Sequence, residues 1–412
     1  MSEINLGDKH SVTHKILNIS VIVAALGYFV DIYDLILYLL VRNPSLHAIG
    51  VPDAQMKEIG IHLFNYQMVG MLCGGIVWGI LGDKKGRMTA LFLTILIYSL
   101  ANIANGFVQT VEQYQWLRFI AGFGLAGELG LGITLVSETM SKENRGYGTM
   151  IVAAVGLLGT VLAYLISEWG WRETYWLGGI LGLLLLVLRI YIHESGMFKQ
   201  VKAQTVSRGN FLGVFMNRKQ LYKFVLCILV GLPVWFVIGI LISYANEFAA
   251  YMHVRGTIVP SKAVVIHYMG AAIGSIVTGV IGQVLHSRKK SLNIALITLL
   301  IFTTGYFYCF NASSTIFYLI LFLMGISQGY WGVFVTVASE QFGTNIRSTI
   351  TTTVPNFVRG AAAIMTTLWQ SMSASSNIMQ AAIIIGGVVI LLSLIATYLI
   401  EETFGKELNY VE

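Results

Sequence analysis

Gly79-Ile80-Leu81-Gly82-Asp83-Lys84-Lys85-Gly86-Arg87 is a charged turn, punctuated by glycines and set between two long apolar segments. Two hundred residues later the chain begins the same way, with Gly279-Val280-Ile281-Gly282-Gln283. A second echo supports the offset: Ser137-Glu138 followed by Arg145 returns as Ser339-Glu340 followed by Arg347, with the same seven-residue gap, 202 residues on. The chain is therefore read as two related halves, and duplicated helical units of this kind point to a membrane carrier.

Composition agrees. Apolar residues make up 56% of the 412, charged residues 11%, and the mean hydropathy is +0.73, which leaves too little polar surface to solvate a soluble globule. Stretches long enough to cross a bilayer fall near 16–41, 60–81, 88–108, 117–138, 148–168, 174–192, 221–245, 263–285, 292–310, 314–338, 349–370 and 378–400. They are too long for barrel strands, so the expected fold is all-α: a polytopic membrane protein of twelve transmembrane helices in two pseudo-symmetric six-helix bundles. The bundles are expected over 1–193 and 221–412, joined by a polar linker over 194–220 in which Phe211, Leu212, Val214 and Phe215 suggest a short amphipathic helix. The first apolar run carries Asp31 and Asp34 and is read as a retained helix, not a cleaved leader.

With both termini cytoplasmic, 18 of the 26 Lys and Arg fall on the inner side and five on the outer. That bias satisfies the positive-inside rule, so the net charge of +6 reads as topogenesis in an inner or plasma membrane and not as a nucleic-acid surface. The three cysteines, Cys73, Cys227 and Cys309, lie singly in separate helices, which fits neither a disulfide framework nor a metal cluster.

Enzyme fingerprints fail on context. Gly122-Phe123-Gly124-Leu125-Ala126-Gly127 spells a dinucleotide loop and Gly325-Ile326-Ser327-Gln328-Gly329 a nucleophile elbow, yet both sit inside apolar runs of helical length, without the strand each chemistry needs. His193-Glu194 is followed by Met197 where a zinc peptidase has its second histidine. No enzymatic activity and no cofactor are expected.

Charges inside helices are costly, so each is a candidate functional group. Asp31 and Asp34 lie three residues apart on one face of helix 1; two carboxylates in a partly dry cavity cannot both ionise cheaply, and at least one must exchange a proton, unless a cation simply pairs with it to fix packing. Arg118 in helix 4 can supply the counter-charge. Glu128, ten residues deeper, either faces the cavity or makes a buried bond to another helix. Arg359, behind Asn356 in helix 11, presents a planar fork suited to a substrate carboxylate, or else pairs permanently with an acidic residue. Tyr28, Tyr33, Tyr330 and Trp331 are aromatic candidates for the cavity wall, while Arg189 and Glu247 sit near helix ends, where they can snorkel.

The turn from Gly79 through Asp83 and Gly86 to Arg87 resembles the signature loop between helices 2 and 3 of the major facilitator superfamily, with a weaker copy from Gly279. Tyr33-Asp34, Arg118 with Gly122 and Gly124, Ala126-Gly127-Glu128, Glu138 with Arg145-Gly146, Trp171-Arg172, Leu188-Arg189 to Glu194-Ser195, Asn356 to Gly360 and Glu402 to Gly405 are similar to metabolite:proton symporters, especially the sialate/lactate-type branch. Gln283 stands where the second loop usually has aspartate, which puts a charge lock in that half in doubt, and His193 stands where proline is usual. The resemblance implies alternating access with a proton-coupling pair at Asp34 and Arg118. Its cytoplasmic gate would be built on Gly79, Asp83, Gly86, Arg87, Glu138, Arg145, Glu340 and Arg347. The resulting expectation is a monomeric carrier that brings in a small metabolite, an organic anion, together with protons. Import of an amino acid, osmolyte or sugar, and export by proton antiport, are the alternatives within transport, and a non-transporting membrane sensor is the alternative outside it.

Overall fold

The computed structural model describes residues 19–191, 194–203 and 205–412, so the tail at 1–15 and His193 lie outside the described residues. Long helices follow one another as α1 (Ile19–Ala48), α2 (Asp53–Lys85), α3 (Arg87–Asn105), α4 (Val111–Thr139), α5 (Arg145–Ser167), α6 (Trp171–Leu188), α7 (Arg218–Ile242), α8 (Pro260–Val284), α9 (Arg288–Phe307), α10 (Ser314–Gln341), α11 (Arg347–Ser375) and α12 (Ile378–Leu399). Among the described residues, eleven of them are long and apolar enough to cross a membrane. The twelfth, α11, is 29 residues long but too polar, because Thr349, Thr351, Thr352, Thr353, Asn356 and Arg359 are turned into the protein interior and not toward lipid.

The helices run longer than the apolar stretches suggest. Arg42 lies inside α1 and Lys57 inside α2, beyond the apolar stretches 16–41 and 60–81. The halves meet where α2 packs along α11 and α5 along α8, two contacts related by the duplication. At Gly79 a Cβ would press on the Thr349 backbone, so only glycine permits this approach of α2 to α11. Gly86 turns the chain from α2 into α3 at φ +116, a conformation that other residues rarely adopt.

Among the described residues four membrane helices are irregular: α5 is interrupted at the single residue Leu158, and three others break as follows. Two-residue turns interrupt α4 at Ala126-Gly127 and α10 at Gly329-Tyr330, at equivalent places in the two halves. At the end of α7, Val237–Ile242 is π-helical behind Pro233, and the Ile238 carbonyl accepts both the N–H and the hydroxyl of Ser243, at 3.1 and 2.7 Å. Broken helices of this kind expose backbone groups where a carrier binds its ligand. The linker holds two short helices, Gly196–Lys202 and Phe211–Met216. The second is not the amphipathic helix expected, because it has no polar face: Phe211 and Val214 are buried, and the exposed Leu212, Phe215 and Met216 are apolar as well.

Candidate functional site

Asp31 on α1 and Arg359 on α11 face each other across the seam between halves, with Nη2 3.7 Å from Oδ2 and both side chains buried. At that distance the pair is electrostatic: neither Asp31 oxygen receives a hydrogen bond. Arg359 is held from its other side, where Nη1 donates to Asn356 Oδ1 at 3.1 Å and the guanidinium lies 5.8 Å from the centre of the Trp331 ring. Asn356 in turn donates to the carbonyls of Thr352 and Ala126, both at 2.7 Å. The Ala126 carbonyl belongs to the α4 interruption, so the broken helix of one half orients the arginine of the other.

Arg359 and Trp331 line a central cavity of ≈ 30 Å³, room for about two waters. Tyr28, Ile32, Trp235, His267, Tyr268 and Gln328 form most of the remaining wall. Of the other residues expected there, the Tyr33 hydroxyl donates to the Thr174 carbonyl at 2.8 Å and that of Tyr330 to the Val230 carbonyl at 3.1 Å. Both are interhelical braces and do not line the cavity, and Asn356 acts through Arg359. His267 and Gln328 were missed. They are uncharged, and an inventory restricted to charges passes over them, although a polar side chain in an apolar helix carries the same kind of cost.

Asp34 is buried without a hydrogen-bond or ion-pair partner. The expected pairing with Arg118 is not a direct contact. Arg118 stacks instead on Tyr38 and Tyr175, at 5.2 and 5.6 Å, and donates to the Tyr175 hydroxyl at 3.4 Å. Glu128 takes the second of its two expected roles, a two-pronged buried pair with Arg189 from the end of α6. Arg189 therefore does not snorkel; it is 1% exposed, because the carboxylate draws it inward.

The helix ends on the side of the signature turn form a double lock. In the first half, Glu138 receives Arg87 Nη2 at 2.8 Å, Arg347 Nη1 from the opposite half at 3.2 Å, and the Ser195 hydroxyl. In the second, Glu340 faces Arg145 from the opposite half at 3.8 Å and Arg288 at 3.6 Å, and accepts from the Thr403 hydroxyl at 2.7 Å. Glu194-Ser195 and Glu402-Thr403 are thus a third echo of the duplication: Glu194 accepts from the Met88 N–H, and Glu402 accepts from the Arg288 N–H. Burial acts to raise the Glu402 carboxyl, but the Ser287 hydroxyl and the backbone N–H groups of Phe404, Arg288 and Lys289 outweigh it and hold the group below the usual range.

Asp83 accepts from the Ser348 and Thr349 N–H groups at the start of α11, at 3.1 and 2.8 Å, and from the Thr349 hydroxyl at 2.7 Å. Gln283 reverses this polarity by donating to the Glu143 carbonyl at 3.1 Å, so the second lock is built without an aspartate. Beneath both locks the tail crosses the seam. Its Lys406 carbonyl accepts from Arg145 at 2.7 Å, its Glu407 pairs with Lys142 at 2.6 Å, and its Leu408 carbonyl accepts from Arg347 at 2.6 Å. At the opposite end of the bundle Lys57 reaches Glu247 at 2.6 Å, so the halves touch at both ends and enclose the cavity.

The Major Facilitator Superfamily model matches residues 16–374. The sialic acid transporter NanX of Escherichia coli (strain K12) is 26% identical over 333 residues, 79% of this chain and 79% of its own. The cis,cis-muconate transport protein of Acinetobacter baylyi (strain ATCC 33305 / BD413 / ADP1) is 24% identical over 410 residues, 93% of this chain and 94% of its own. The solved structure of the proton:xylose symporter XylE bound to 6-bromo-6-deoxy-D-glucose shares the fold, with a TM-score of 0.76 at 17% identity over 95% of this chain and 97% of that one. The paired bundles, the signature turn and the match over most of its length show that the chain belongs to the Major Facilitator Superfamily, a family of secondary carriers and not of enzymes.

Proposed function

We propose that this protein imports a small organic anion together with protons across an inner or plasma membrane, both termini cytoplasmic and one chain enclosing the whole path. The observation that carries this reading is the Asp31–Arg359 pair, which joins the two halves at mid-membrane beside the cavity without a hydrogen bond. A substrate carboxylate can offer Arg359 the two-pronged partner that Asp31 does not. The displaced Asp31 would then be a bare buried carboxylate, a costly species that a proton removes. Anion and proton are thereby bound together, and one monoanion with one proton moves no net charge. Asp34, buried and unpartnered, is the natural group to pass the proton along α1.

Two relatives named for sialic acid and cis,cis-muconate, both carboxylic acids, support an anionic substrate. The sialate/lactate-type branch rests on the sequence motifs alone, from Tyr33-Asp34 in α1 to Glu402–Gly405 in the tail.

The test is uptake into proteoliposomes under an imposed pH gradient, acid outside. Arg359→Lys keeps the charge but loses the fork, so affinity is expected to fall on the order of tenfold, about 1.4 kcal/mol, and Arg359→Ala to be worse. Asp31→Asn should bind the anion yet fail to accumulate it. A neutral preferred substrate, or wild-type affinity in both Arg359 variants, would remove the anion from the mechanism.

A further inference from the structure

We propose that the lock around Glu340 binds a small inorganic monoanion such as chloride, which takes the place of the aspartate that this half lacks and holds the two halves together at that end.

Charge is unequal between the two locks. Four buried arginines, Arg87, Arg145, Arg288 and Arg347, meet three buried carboxylates, Asp83, Glu138 and Glu340. Around Glu138 the count is even, because Arg87 also lies 3.5 Å from Asp83. Around Glu340 it is not, since Gln283 stands at the position equivalent to Asp83 and carries no charge. Gln283 sits beside Arg288 much as Asp83 sits beside Arg87: a Cβ at Gly146 would press on both the Arg288 guanidinium and the Gln283 amide. Glu194 and Glu402 meet the starts of α3 and α9 in the two halves alike, so they leave the difference in place.

The hydrogen bonds show the same inequality. Every side-chain nitrogen of Arg347 donates, to Glu138, to the Thr344 hydroxyl and to the carbonyls of Ser339, Phe342 and Leu408. In Arg87, Nε alone lacks a partner. In the second lock, Arg145 Nε and Nη1 and Arg288 Nε and Nη2 have no hydrogen-bond partner in the protein, with Glu340 no nearer than 3.6 Å. An unpaired buried charge is costly and a guanidinium can only donate, so the group that relieves these nitrogens is a negatively charged acceptor. Gln283 Oε1 is also unpartnered, but a neutral acceptor does not balance the charge.

A surface cavity of ≈ 300 Å³ provides the approach. Gln283 and Phe404 line it, and both stand beside Arg288, the Phe404 ring centre lying 5.2 Å from the guanidinium. Lys142, Glu143 and His286 form most of its remaining rim. The unpartnered nitrogens lie behind this rim among buried side chains, which favours a small ion, and one negative charge evens the count.

The experiment titrates the purified full-length chain with sodium chloride in place of sodium methanesulfonate at constant ionic strength. It reads thermal unfolding and the labelling of a single cysteine placed on the signature-turn side. With a dissociation constant on the order of 10 mM, about 100 mM chloride should slow labelling about tenfold and raise the unfolding temperature. Gln283→Asp, which builds the missing carboxylate in, should label slowly without chloride and lose the response. Should Gln283→Asp fold poorly, Arg288→Gln, which removes the surplus charge instead, should lose the response as well. Arg359→Lys should keep it, because the ion does not act at the central cavity. Loss of the response in Arg359→Lys, an undiminished response in Gln283→Asp, or a wild type indifferent to chloride overturns the proposal. A response to added phosphatidylglycerol but not to chloride assigns the nitrogens to a lipid headgroup and overturns it too. The organic-anion reading rests on Arg359 and stands or falls separately.

Discussion

The carboxylate of Asp83 on α2 receives the backbone N–H of Thr349 at 2.8 Å, at the first turn of α11 in the opposite half. Every helix begins with N–H groups that have no partner within the helix, and here the other half supplies one. The contact can exist only while the ends of the two halves beside the signature turn stay together, so it weights the conformational balance and leaves the cavity chemistry untouched.

Asp83→Asn keeps the shape but removes the charge facing the helix N-terminus, a loss of about 1–2 kcal/mol in a buried site. The closed-to-open ratio at the cytoplasmic face should shift about five- to thirtyfold toward open. Labelling of single cysteines placed on the two faces reads this directly. Unchanged labelling in both Asp83→Asn and Arg87→Ala would take the signature turn out of the gate.

The tail strap makes a separate prediction. Lys406, Glu407 and Leu408 hold Arg145, Lys142 and Arg347, which belong to both halves. Deleting residues 406–412 should increase cytoplasmic-side labelling and alter turnover more than affinity. Lys142→Glu alone should do much less, since its pair with Glu407 is solvent-exposed, and such pairs contribute about 0–1 kcal/mol.

Glu128 and Arg189 are expected to behave as a structural unit. Arg189→Met strands a buried carboxylate and should destabilise the protein by about 3–5 kcal/mol, whereas Glu128→Gln with Arg189→Met should recover most of the loss. Thermal unfolding in detergent checks both variants. If Glu128→Gln alone leaves unfolding unchanged but abolishes gradient-driven uptake, Glu128 belongs to the proton path after all.

Asp34→Asn preserves volume and removes the titrating group. Gradient-driven accumulation should be lost, while counterflow exchange, which needs no net proton movement, survives. Full accumulation by this variant would falsify the assignment of Asp34 to proton coupling.

Much of the architecture was legible because lipid imposes a simple rule: each helix must be long and apolar, and a charge within one must have a reason to be there. The rule found Asp31, Asp34, Arg118, Glu128 and Arg359, and the duplication located the turns around Asp83 and Glu138. It misjudged Arg189, since distance from a helix end says nothing about which carboxylate stands opposite. It also passed over His267 and Gln328, whose cost in lipid is real but carries no charge to flag it.

What the sequence by itself determined was the set of spans and the duplicated halves, because hydropathy and repeat spacing act along the chain. What only the tertiary structure decided was partnership. Asp31 meets Arg359, Asp34 meets no cation, Glu128 meets Arg189 and Glu138 meets Arg347 across the seam. Such pairings depend on the rotation and depth of separate helices, which packing sets to within an ångström and which periodicity along one helix cannot encode.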